Sequence, residues 1–504
     1  MKNIIETTMK KYFQLRKYKV DLWKNSAIAS QEFILFDILN TAAHTEFGKK
    51  YSFTHIQNLE EFQKIVPLSS YDELKVYIKK MIEGQEDILW PGKITNFSKT
   101  SGTTCDVSKY LPITHDSLYK GNYKAGRDIY TFFFSNHPDS DIFKNNGKVI
   151  SLSGTYKIND FGSKIGDVSA IIVSELPSWA EKYREPSLET LAIPEWKNKI
   201  PAIINDTVDK NITQLSGVPT WFVSVFEELQ KKHPYETLRD IWPNMELFLH
   251  GAVAFGPYKS IFQKLLPFPD MKYMEVYNAS EGFFAIQDDM QKPGEMLLLT
   301  DHGVFYEFIE MSQYGSKKNA TVISLKDVVV GIDYAMIIST NAGLWRYDLG
   351  DTVYFTNIDP FRIKISGRTK HFINVFGEEL MVGNADEAVE NMSREFNCIV
   401  EHYTAGPVFM NKQGKGCHEW VIEFNQEPDD INLFKKKLDI SLQEINSDYA
   451  AKRQGDVALQ ELVLNSVPKG TFIKWMEQRG KLGGQHKIPR LSNKRKYIEE
   501  LLNI

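Results

Sequence analysis

The chain has few cysteines for its length, and their spacing excludes two common kinds of site. Cys105, Cys398 and Cys417 are the only cysteines among 504 residues, an odd number with no Cys-x-x-Cys pair. Disulfide frameworks occur in oxidising compartments, and zinc sites need closely spaced cysteine or histidine ligands. The sequence therefore argues against a disulfide-stapled fold or a zinc site, and we expect a cytoplasmic protein.

The histidines also lack the arrangement of a metal centre. His115, His250, His302 and His418 are far apart and share no spacing typical of metal ligands. Such scattered histidines are more simply interpreted as structural residues whose hydrogen bonds are made within the fold.

Long apolar runs and clustered basic residues are missing as well. No apolar run approaches the roughly 20 residues that a membrane-spanning helix needs, and residues 1–19 lack the apolar core of a signal peptide. The 60 Lys and Arg are scattered among 65 Asp and Glu, giving a net charge of −5. Because nucleic-acid binding needs a clustered basic face, we expect neither a nucleic-acid nor a membrane partner.

The order of the predicted elements favours an α/β protein with two domains. Residues 1 to about 90 are predicted to be helical, and strand-like and helical runs then alternate. Met296 to Leu299 and Phe305 to Glu310 flank Asp301-His302-Gly303, a pattern that predicts a β-hairpin within an antiparallel subdomain. We predict a large domain over residues 1–368 and a small, mobile α+β domain over residues 369–504.

A loop rich in small hydroxyl residues follows the first predicted strand. It runs from Thr100 to Lys109 and contains one glycine, Gly102, among serines and threonines. Backbone N–H groups and hydroxyls in such a loop form a cradle for phosphate oxygens, and a lysine adds positive charge. The spacing differs from the common P-loop. Taken alone, the loop is compatible with an ordinary surface connection.

Three further stretches combine glycine with charged residues at predicted strand ends. They are Tyr277 to Gly282, Arg346 to Asp351 with Arg368, and Gly483 to Arg490. Each has a simple alternative explanation, such as a helix cap, a turn or a solvated charge. Their order along a large-plus-small chain is what favours a functional interpretation.

Together these motifs resemble the Gretchen Hagen family of acyl-acid–amido synthetases, which is known in plants and also present in bacteria. The family's phosphate loop is matched by residues 100–109 except at one position, and its Tyr-x-x-Ser-Glu motif is Tyr277 to Glu281. Its third motif appears as Trp345 to Asp351, with one aromatic residue replacing another. The resemblance covers nearly the whole chain. It implies the fold of the adenylate-forming superfamily, with residues 1–368 as the adenylate-forming domain and residues 369–504 as a lid.

The resemblance also implies the reaction and the residues that carry it. A small carboxylic acid and ATP would form an acyl-adenylate and pyrophosphate, and an amine, expected to be an amino acid, would then displace AMP. ATP and Mg²⁺ are the implied cofactors, and we expect a monomer. The implied catalytic residues are Lys487, Glu281 and Thr103, with Glu281 as the metal ligand. The implied ATP-binding residues are Ser101, Gly102, Thr103, Thr104, Lys109, Gly251, Ala252, Tyr277, Ser280, Asp351 and Arg368.

Two positions depart from the family pattern, and two other functions stay open. Asp106 replaces a loop glycine and brings a negative charge close to the triphosphate, while Asp348 stands where the plant proteins usually carry arginine. An acyl-CoA ligase with a thiol acceptor is one alternative. A non-catalytic protein that binds a nucleotide or an acid is the other.

Overall fold

The computed structural model describes most of the chain as regular secondary structure. The described residues are 2–99, 109–234, 237–251, 255–268, 270–314, 320–369, 372–373, 378, 380–408, 416–446, 449–450, 453, 459–479 and 488–504. The helices are α1 Lys2–Asn25, α2 Ala27–Ala42, α3 Glu46–Lys50, α4 Leu59–Ile65, α5 Tyr71–Ile82, α6 Tyr123–Asn136, α7 Val168–Ser174, α8 Ser178–Glu181, α9 Leu188–Leu191, α10 Trp196–Thr207, α11 Pro219–Lys232, α12 Leu238–Ile241, α13 Gly256–Leu265, α14 Val382–Glu395, α15 Ile431–Ile445, α16 Thr471–Gln478 and α17 Lys496–Leu502.

The strands form one large sheet and three smaller ones. They are β1 Asn96–Lys99, β2 Tyr110–Ile113, β3 Lys148–Ser151, β4 Tyr156–Ile158, β5 Lys164–Gly166, β6 Arg184–Glu185, β7 Ile212–Gly217, β8 Leu247–Gly251, β9 Lys272–Ala279, β10 Gly282–Ile286, β11 Met296–Leu298, β12 Val304–Glu310, β13 Val322–Ser324, β14 Asp333–Thr340, β15 Tyr347–Ile358, β16 Phe361–Arg368, β17 Phe372–Ile373, β18 Leu380–Met381, β19 Ile399–Val408, β20 Cys417–Gln426 and β21 Val463–Val467.

The largest sheet has a parallel half and an antiparallel half. Its strand order is β13-β12-β14-β15-β16-β11-β10-β9-β8-β7-β3-β6. Strands β9, β8, β7, β3 and β6 run parallel, while β9 meets β10 in an antiparallel pair. The parallel strands therefore end at one common edge, where α/β proteins bind their ligands. This mixed architecture confirms the predicted α/β fold.

The parallel half is covered on both faces, as its continuous apolar strands predict. Phe248 of β8 packs between Phe222 of α11 and Phe262 of α13, with ring centroids 5.3 and 4.8 Å away. Leu247 and Leu249 point to the opposite face, into a core that they share with α1 and α6. Successive residues of a strand face opposite sides, so an all-apolar strand needs a layer on each.

The predicted hairpin at Asp301-His302-Gly303 is wrong. Strand β11 pairs with β10 and β16, whereas β12 pairs with β13 and β14, so the strands on either side of this turn do not pair with each other. His302 is buried at the turn and lies 2.9 Å from Asp128 of α6. The turn thus carries the chain between distant positions of the sheet. By contrast, the turn Asn341-Ala342-Gly343 joins paired strands, β14 and β15.

A four-stranded sheet frames the hydroxyl-rich loop. Its order is β2-β1-β5-β4, and β1 and β2 are antiparallel neighbours on either side of residues 100–108. Those residues lie outside the described part of the chain.

The C-terminal part has a core of its own. The sheet β19-β20-β21 packs one face against α14 and α15, where the rings of Phe424 and Phe434 are 5.5 Å apart. The other face packs against α16 and α17, in a core that includes Val421 and Phe472. This is the predicted α+β unit, and the division between residues 368 and 369 stays a prediction.

Two kinds of feature are absent from the described ranges. None of the helices is long and apolar enough to cross a membrane. The same residues contain no cluster of three or more His, Cys, Asp or Glu side chains that could hold a metal ion.

A buried ion pair attaches helix α1 to helix α6. Arg16 donates from Nε to Asp128 Oδ1 at 2.7 Å, and the other Asp128 oxygen accepts from His302. Burial alone would raise the pKa of Asp128, but His302 and Arg16 outweigh it and hold that pKa below its ordinary value. Burial also lowers the pKa of His302. Both groups therefore bind protons more readily in the unfolded chain.

We expect Asp128→Asn to lower the free energy of unfolding by about 3 kcal/mol at pH 7, because it leaves a buried arginine without its carboxylate. The wild type should lose stability as the pH falls below 6.5, the ordinary pKa of histidine, first through His302 and then through Asp128. Urea unfolding at several pH values measures both effects, and the difference between the two proteins should shrink in acid. Asp141→Asn is the control, because Asp141 and its partner Lys144 are each 60% exposed, and its effect should stay below about 0.5 kcal/mol.

Candidate functional site

The Tyr-x-x-Ser-Glu motif, Tyr277 to Glu281, ends in a two-residue turn at the sheet edge where the parallel strands end. Ala279 of β9 pairs with Gly282 of β10, which leaves Ser280 and Glu281 in the connection. The hydroxyl of Ser98, in β1, lies 3.4 Å from the Ser280 carbonyl oxygen. The strand that leads into the hydroxyl-rich loop is therefore in contact with the Tyr-x-x-Ser-Glu motif.

Strands β15 and β16 add an acid–base pair to this turn. Asp351 and Arg368 are directly opposite in the strand register, and Arg368 Nε donates to Asp351 Oδ1 at 2.7 Å. The buried Tyr277 hydroxyl donates to Asp351 Oδ2 at 2.7 Å. The charge of Asp351 raises the pKa of Arg368. Sequence reasoning named all three residues, and the structure brings them together.

Glu281 lies in an unusual electrostatic environment. Burial and the nearby charge of Asp351 raise the pKa of Glu281 to about 7, although Arg368 and Lys109 oppose the rise. A cation beside such a carboxylate would stabilise its ionised form, which is otherwise disfavoured in the free protein.

Lys109 stands where β2 begins, on the other side of the undescribed loop. Its Nζ lies 3.5 Å from the hydroxyl of Tyr347 and 5.7 Å from the ring centre of Tyr71. Neither tyrosine was assigned a role from the sequence. Tyr347 stood inside the quoted third motif, but Tyr71 lies far before the loop, and its only signal was the cap of the helix that it begins.

Gly251 ends strand β8 in a position that excludes a side chain. A Cβ there would lie 2.5 Å from the Val276 carbonyl oxygen of β9. The close approach of two strand backbones explains this glycine without reference to a ligand. Its predicted role in lining an adenine pocket stays a prediction.

Several predicted site residues lie outside the described residues. They are Ser101, Gly102, Thr103, Thr104, Asp106, Ala252 and Lys487. The described members that come together are Lys109, Tyr277, Ser280, Glu281, Asp351 and Arg368.

Two residues of the third motif, Arg346 and Asp348, make contacts within the fold. Arg346 is buried and forms a two-pronged ion pair with Glu307, both N–O distances being 2.9 Å. It also donates to the backbone carbonyls of Gln63 and Val66. Asp348 accepts from the Tyr314 hydroxyl at 2.5 Å. Arg346 therefore links the end of helix α4 to strand β12 in the antiparallel half of the large sheet.

One residue of this cluster, Glu281, is suited to bind a hard divalent cation. Glu281 supplies a carboxylate oxygen of the kind that Mg²⁺ prefers, and Mg²⁺ is usually held by one or two protein carboxylates together with substrate phosphates. Burial is the main cause of the raised pKa of Glu281, and a cation at its carboxylate would stabilise the ionised form. A Mg²⁺ ion at this carboxylate would neutralise charge on bound phosphates.

We expect Asp351→Asn to weaken ATP binding by about tenfold to a hundredfold, because hydrogen bonds to a charged group are lost and Arg368 loses its ion pair with Asp351. Equilibrium binding of ATP, with AMP as a second ligand, measures the change. Asp348→Asn is the matched control within the same motif, because Asp348 contacts Tyr314 instead of the Tyr277–Arg368 pair. Equal losses in the two variants would contradict a specific role of Asp351 in binding ATP.

Comparisons with known proteins agree with the motifs. Three family models match consecutive parts of the chain: the GH3 family N-terminal domain over residues 16–271, the central domain over residues 297–368 and the C-terminal domain over residues 383–496. An indole-3-acetic acid-amido synthetase from Arabidopsis thaliana, GH3.4, is 23% identical over 91% of this chain and 88% of its own. A jasmonoyl–L-amino acid synthetase from Oryza sativa subsp. japonica, GH3.5, is 21% identical over 94% of both chains.

Solved structures show the same fold. The GH3.15 acyl acid amido synthetase has a TM-score of 0.77 at 16% identity and covers 96% of this chain and 95% of its own. A 2-hydroxyisobutyryl-CoA ligase in its postadenylation state has a TM-score of 0.58 at 12% identity and covers 95% of this chain and 90% of its own. The predicted adenylate-forming fold is thereby confirmed. Since the N-terminal model alone spans more than half of the chain and the other two follow it in order, this protein belongs to the GH3 family.

Proposed function

We propose that this chain is an AMP-forming ligase that joins a small carboxylic acid to the amino group of an amino acid. One observation carries the proposal: Tyr277, Asp351, Arg368, Glu281 and Lys109 come from separate motifs and meet at one edge of the sheet. The family comparisons support this class of reaction, because the relatives are named as amido synthetases.

In the first step, a carboxylate oxygen attacks the α-phosphorus of ATP, and the bond to the bridging oxygen of pyrophosphate breaks. Two anions must approach each other for this to happen, so positive charge and N–H donors are needed where they meet. We assign the triphosphate to Lys109 and the hydroxyl-rich loop, which includes Ser101, Gly102, Thr103 and Thr104. Thr103 also has a catalytic role in this proposal.

The nucleoside is assigned to the described cluster. Asp351 uses one lone pair of each oxygen for Tyr277 and Arg368, and the remaining lone pairs can accept the ribose hydroxyls. The adenine is assigned to the face of Tyr277, with Ser280, Gly251 and Ala252 beside it. Glu281 is assigned as the carboxylate that holds Mg²⁺. Lys487 is assigned to the charge that develops between the acid and the α-phosphate.

In the second step, the nitrogen of the amine attacks the carbonyl carbon of the acyl-adenylate. The bond between that carbon and the AMP oxygen breaks, AMP leaves, and the ammonium formed at the new bond loses a proton to give the amide. We propose that the small domain, residues 369–504, rotates between the steps about a hinge near residues 367–372. We further propose that the enzyme acts as a monomer and that it works in the cytoplasm. Three cysteines, an odd number without paired spacing, favour a reducing compartment.

A panel of aryl and short acyl acids, each tested with amino acids and with CoA, identifies the second substrate. The expected result is AMP release that depends on both an acid and an amino acid, with an amide of the summed mass minus water. Release that depends on CoA instead, with a thioester product, would replace the amido synthetase by the acyl-CoA ligase. Absence of AMP release under all conditions would favour the non-catalytic binding protein.

A further inference from the structure

The ammonium group of Lys109 is held by aromatic rings. Its Nζ lies 5.7 Å from the ring centre of Tyr71 and 6.0 Å from that of Tyr347. The Tyr347 hydroxyl is 3.5 Å away, at the outer limit of a hydrogen bond. Attraction between a cation and a ring face extends to about 6 Å, so both rings are within reach.

This arrangement leaves the positive charge of Lys109 available. In the described residues no carboxylate lies within ion-pair distance of its Nζ, whereas another partly buried lysine, Lys24, is paired with Asp288 at 2.7 Å. Burial raises the pKa of both Tyr71 and Tyr347, so neither phenol becomes a phenolate near neutral pH. The rings therefore attract the ammonium without neutralising it.

Rigid elements position both tyrosines. Tyr71 is the first residue of α5, whose start is fixed by a capping box between Ser70 and Glu73. The Tyr71 hydroxyl accepts from the backbone N–H of Tyr110 at 3.0 Å, directly beside Lys109. Ser69 forms a bridge to Tyr347 and hydrogen-bonds through its hydroxyl to the Trp345 carbonyl oxygen at 2.6 Å.

Two distant parts of the chain are thus joined around one lysine. The segment at residues 69–71 precedes the hydroxyl-rich loop, and Tyr347 belongs to the third motif, yet backbone hydrogen bonds hold them side by side. Ser69 N–H donates to the Arg346 carbonyl at 2.9 Å, and Asp348 N–H donates to the Ser69 carbonyl at 2.8 Å. Such doubled backbone contacts keep the two rings at a fixed separation.

We propose that Tyr71 and Tyr347 are positioning residues that form an aromatic clamp on Lys109 and hold its free charge ready for the outer phosphates of ATP. The inference rests on the proposed function of Lys109. A carboxylate partner would fix the lysine equally well, but it would have to be displaced when an anion binds. Two neutral rings fix the side chain and leave its charge for the triphosphate, so the ligand class that the clamp serves is a polyphosphate.

The test compares ATP and AMP binding by calorimetry in single and double variants of the full chain. Tyr71→Leu removes the ring and should weaken ATP binding by about threefold to tenfold while leaving AMP binding unchanged. Tyr71→Phe keeps the ring and removes only the hydroxyl, so its ATP affinity should stay within about twofold of the wild type. Thermal unfolding of each variant confirms that it is folded.

A Lys109→Ala background separates positioning from general packing. If Tyr71 acts through Lys109, adding Tyr71→Leu to Lys109→Ala should cause no further loss of ATP affinity. The same loss in both backgrounds, or an equal loss for AMP, would overturn the clamp. Normal ATP affinity in Tyr71→Leu beside a loss in Lys109→Ala would overturn the clamp and leave the role of Lys109 standing. Normal ATP affinity in Lys109→Ala would overturn both.

Discussion

Replacing Lys487 by alanine is expected to slow acyl-adenylate formation by about a hundredfold to a thousandfold and to leave ATP binding nearly unchanged. The reaction brings a carboxylate to a polyphosphate, and charge accumulates at the α-phosphate as the new bond forms. A cation that acts only at that stage stabilises the transition state more than the bound substrate. The loss should therefore appear in the rate of pyrophosphate exchange, measured beside the dissociation constant of ATP.

Lys474→Ala provides the control for this experiment. Lys474 is an exposed lysine of helix α16 in the same C-terminal unit. The variant therefore removes an equal charge at a position that has no role in the proposed reaction. Its exchange rate should match the wild type. A Lys487→Ala variant that lost ATP binding and exchange to the same extent would show a binding residue, and the proposed role in the transition state would be wrong.

Glu281→Gln is expected to reduce adenylation by about a hundredfold or more, because it removes the only proposed protein ligand of Mg²⁺ while keeping the shape of the side chain. The variant should be folded and, without Mg²⁺, should not be less stable than the wild type. Burial and the charge of Asp351 raise the pKa of Glu281 from 4.5 to about 7, so this carboxyl costs the free protein stability as the pH rises from 4.5 to 7, and the full cost is present above pH 7. The glutamine cannot ionise and avoids that effect.

The same raised pKa predicts how Mg²⁺ and protons compete. Below pH 7 the carboxyl is mostly protonated, and a protonated carboxyl cannot bind the cation. The Mg²⁺ concentration that gives half of the maximal exchange rate should therefore rise by about tenfold for each pH unit below 7. In Glu281→Gln this dependence should disappear. A Mg²⁺ requirement of the wild type that stays constant between pH 5.5 and 8 would contradict metal binding at Glu281.

Local sequence signals account for several elements of the fold. The Ser70–Glu73 capping box begins α5, Pro219 begins α11 and an apolar run forms β8, and each signal depends only on residues next to one another. The turn at residues 301–303 was misjudged because strand pairing depends on distant partners. His302 is used for a buried contact with Asp128, which no local pattern reveals.

The candidate site was predictable to the extent that its residues stand in motifs. Asp351 and Arg368 were named from the sequence, and the strand register places them opposite each other. Arg346 stands in the same motif but supports the fold through Glu307. Tyr71 could not have been identified, because its approach to Lys109 depends on how the N-terminal helices pack on the third motif.

Exchange of labelled pyrophosphate into ATP tests the proposed adenylation most directly. The wild type should catalyse exchange only when a suitable acid from the panel is present, and no amino acid or CoA should be needed. The Lys487→Ala and Glu281→Gln variants should reduce that exchange, while Lys474→Ala should retain it. A wild-type protein that binds ATP and the acid but catalyses no exchange with any acid would contradict acyl-adenylate formation.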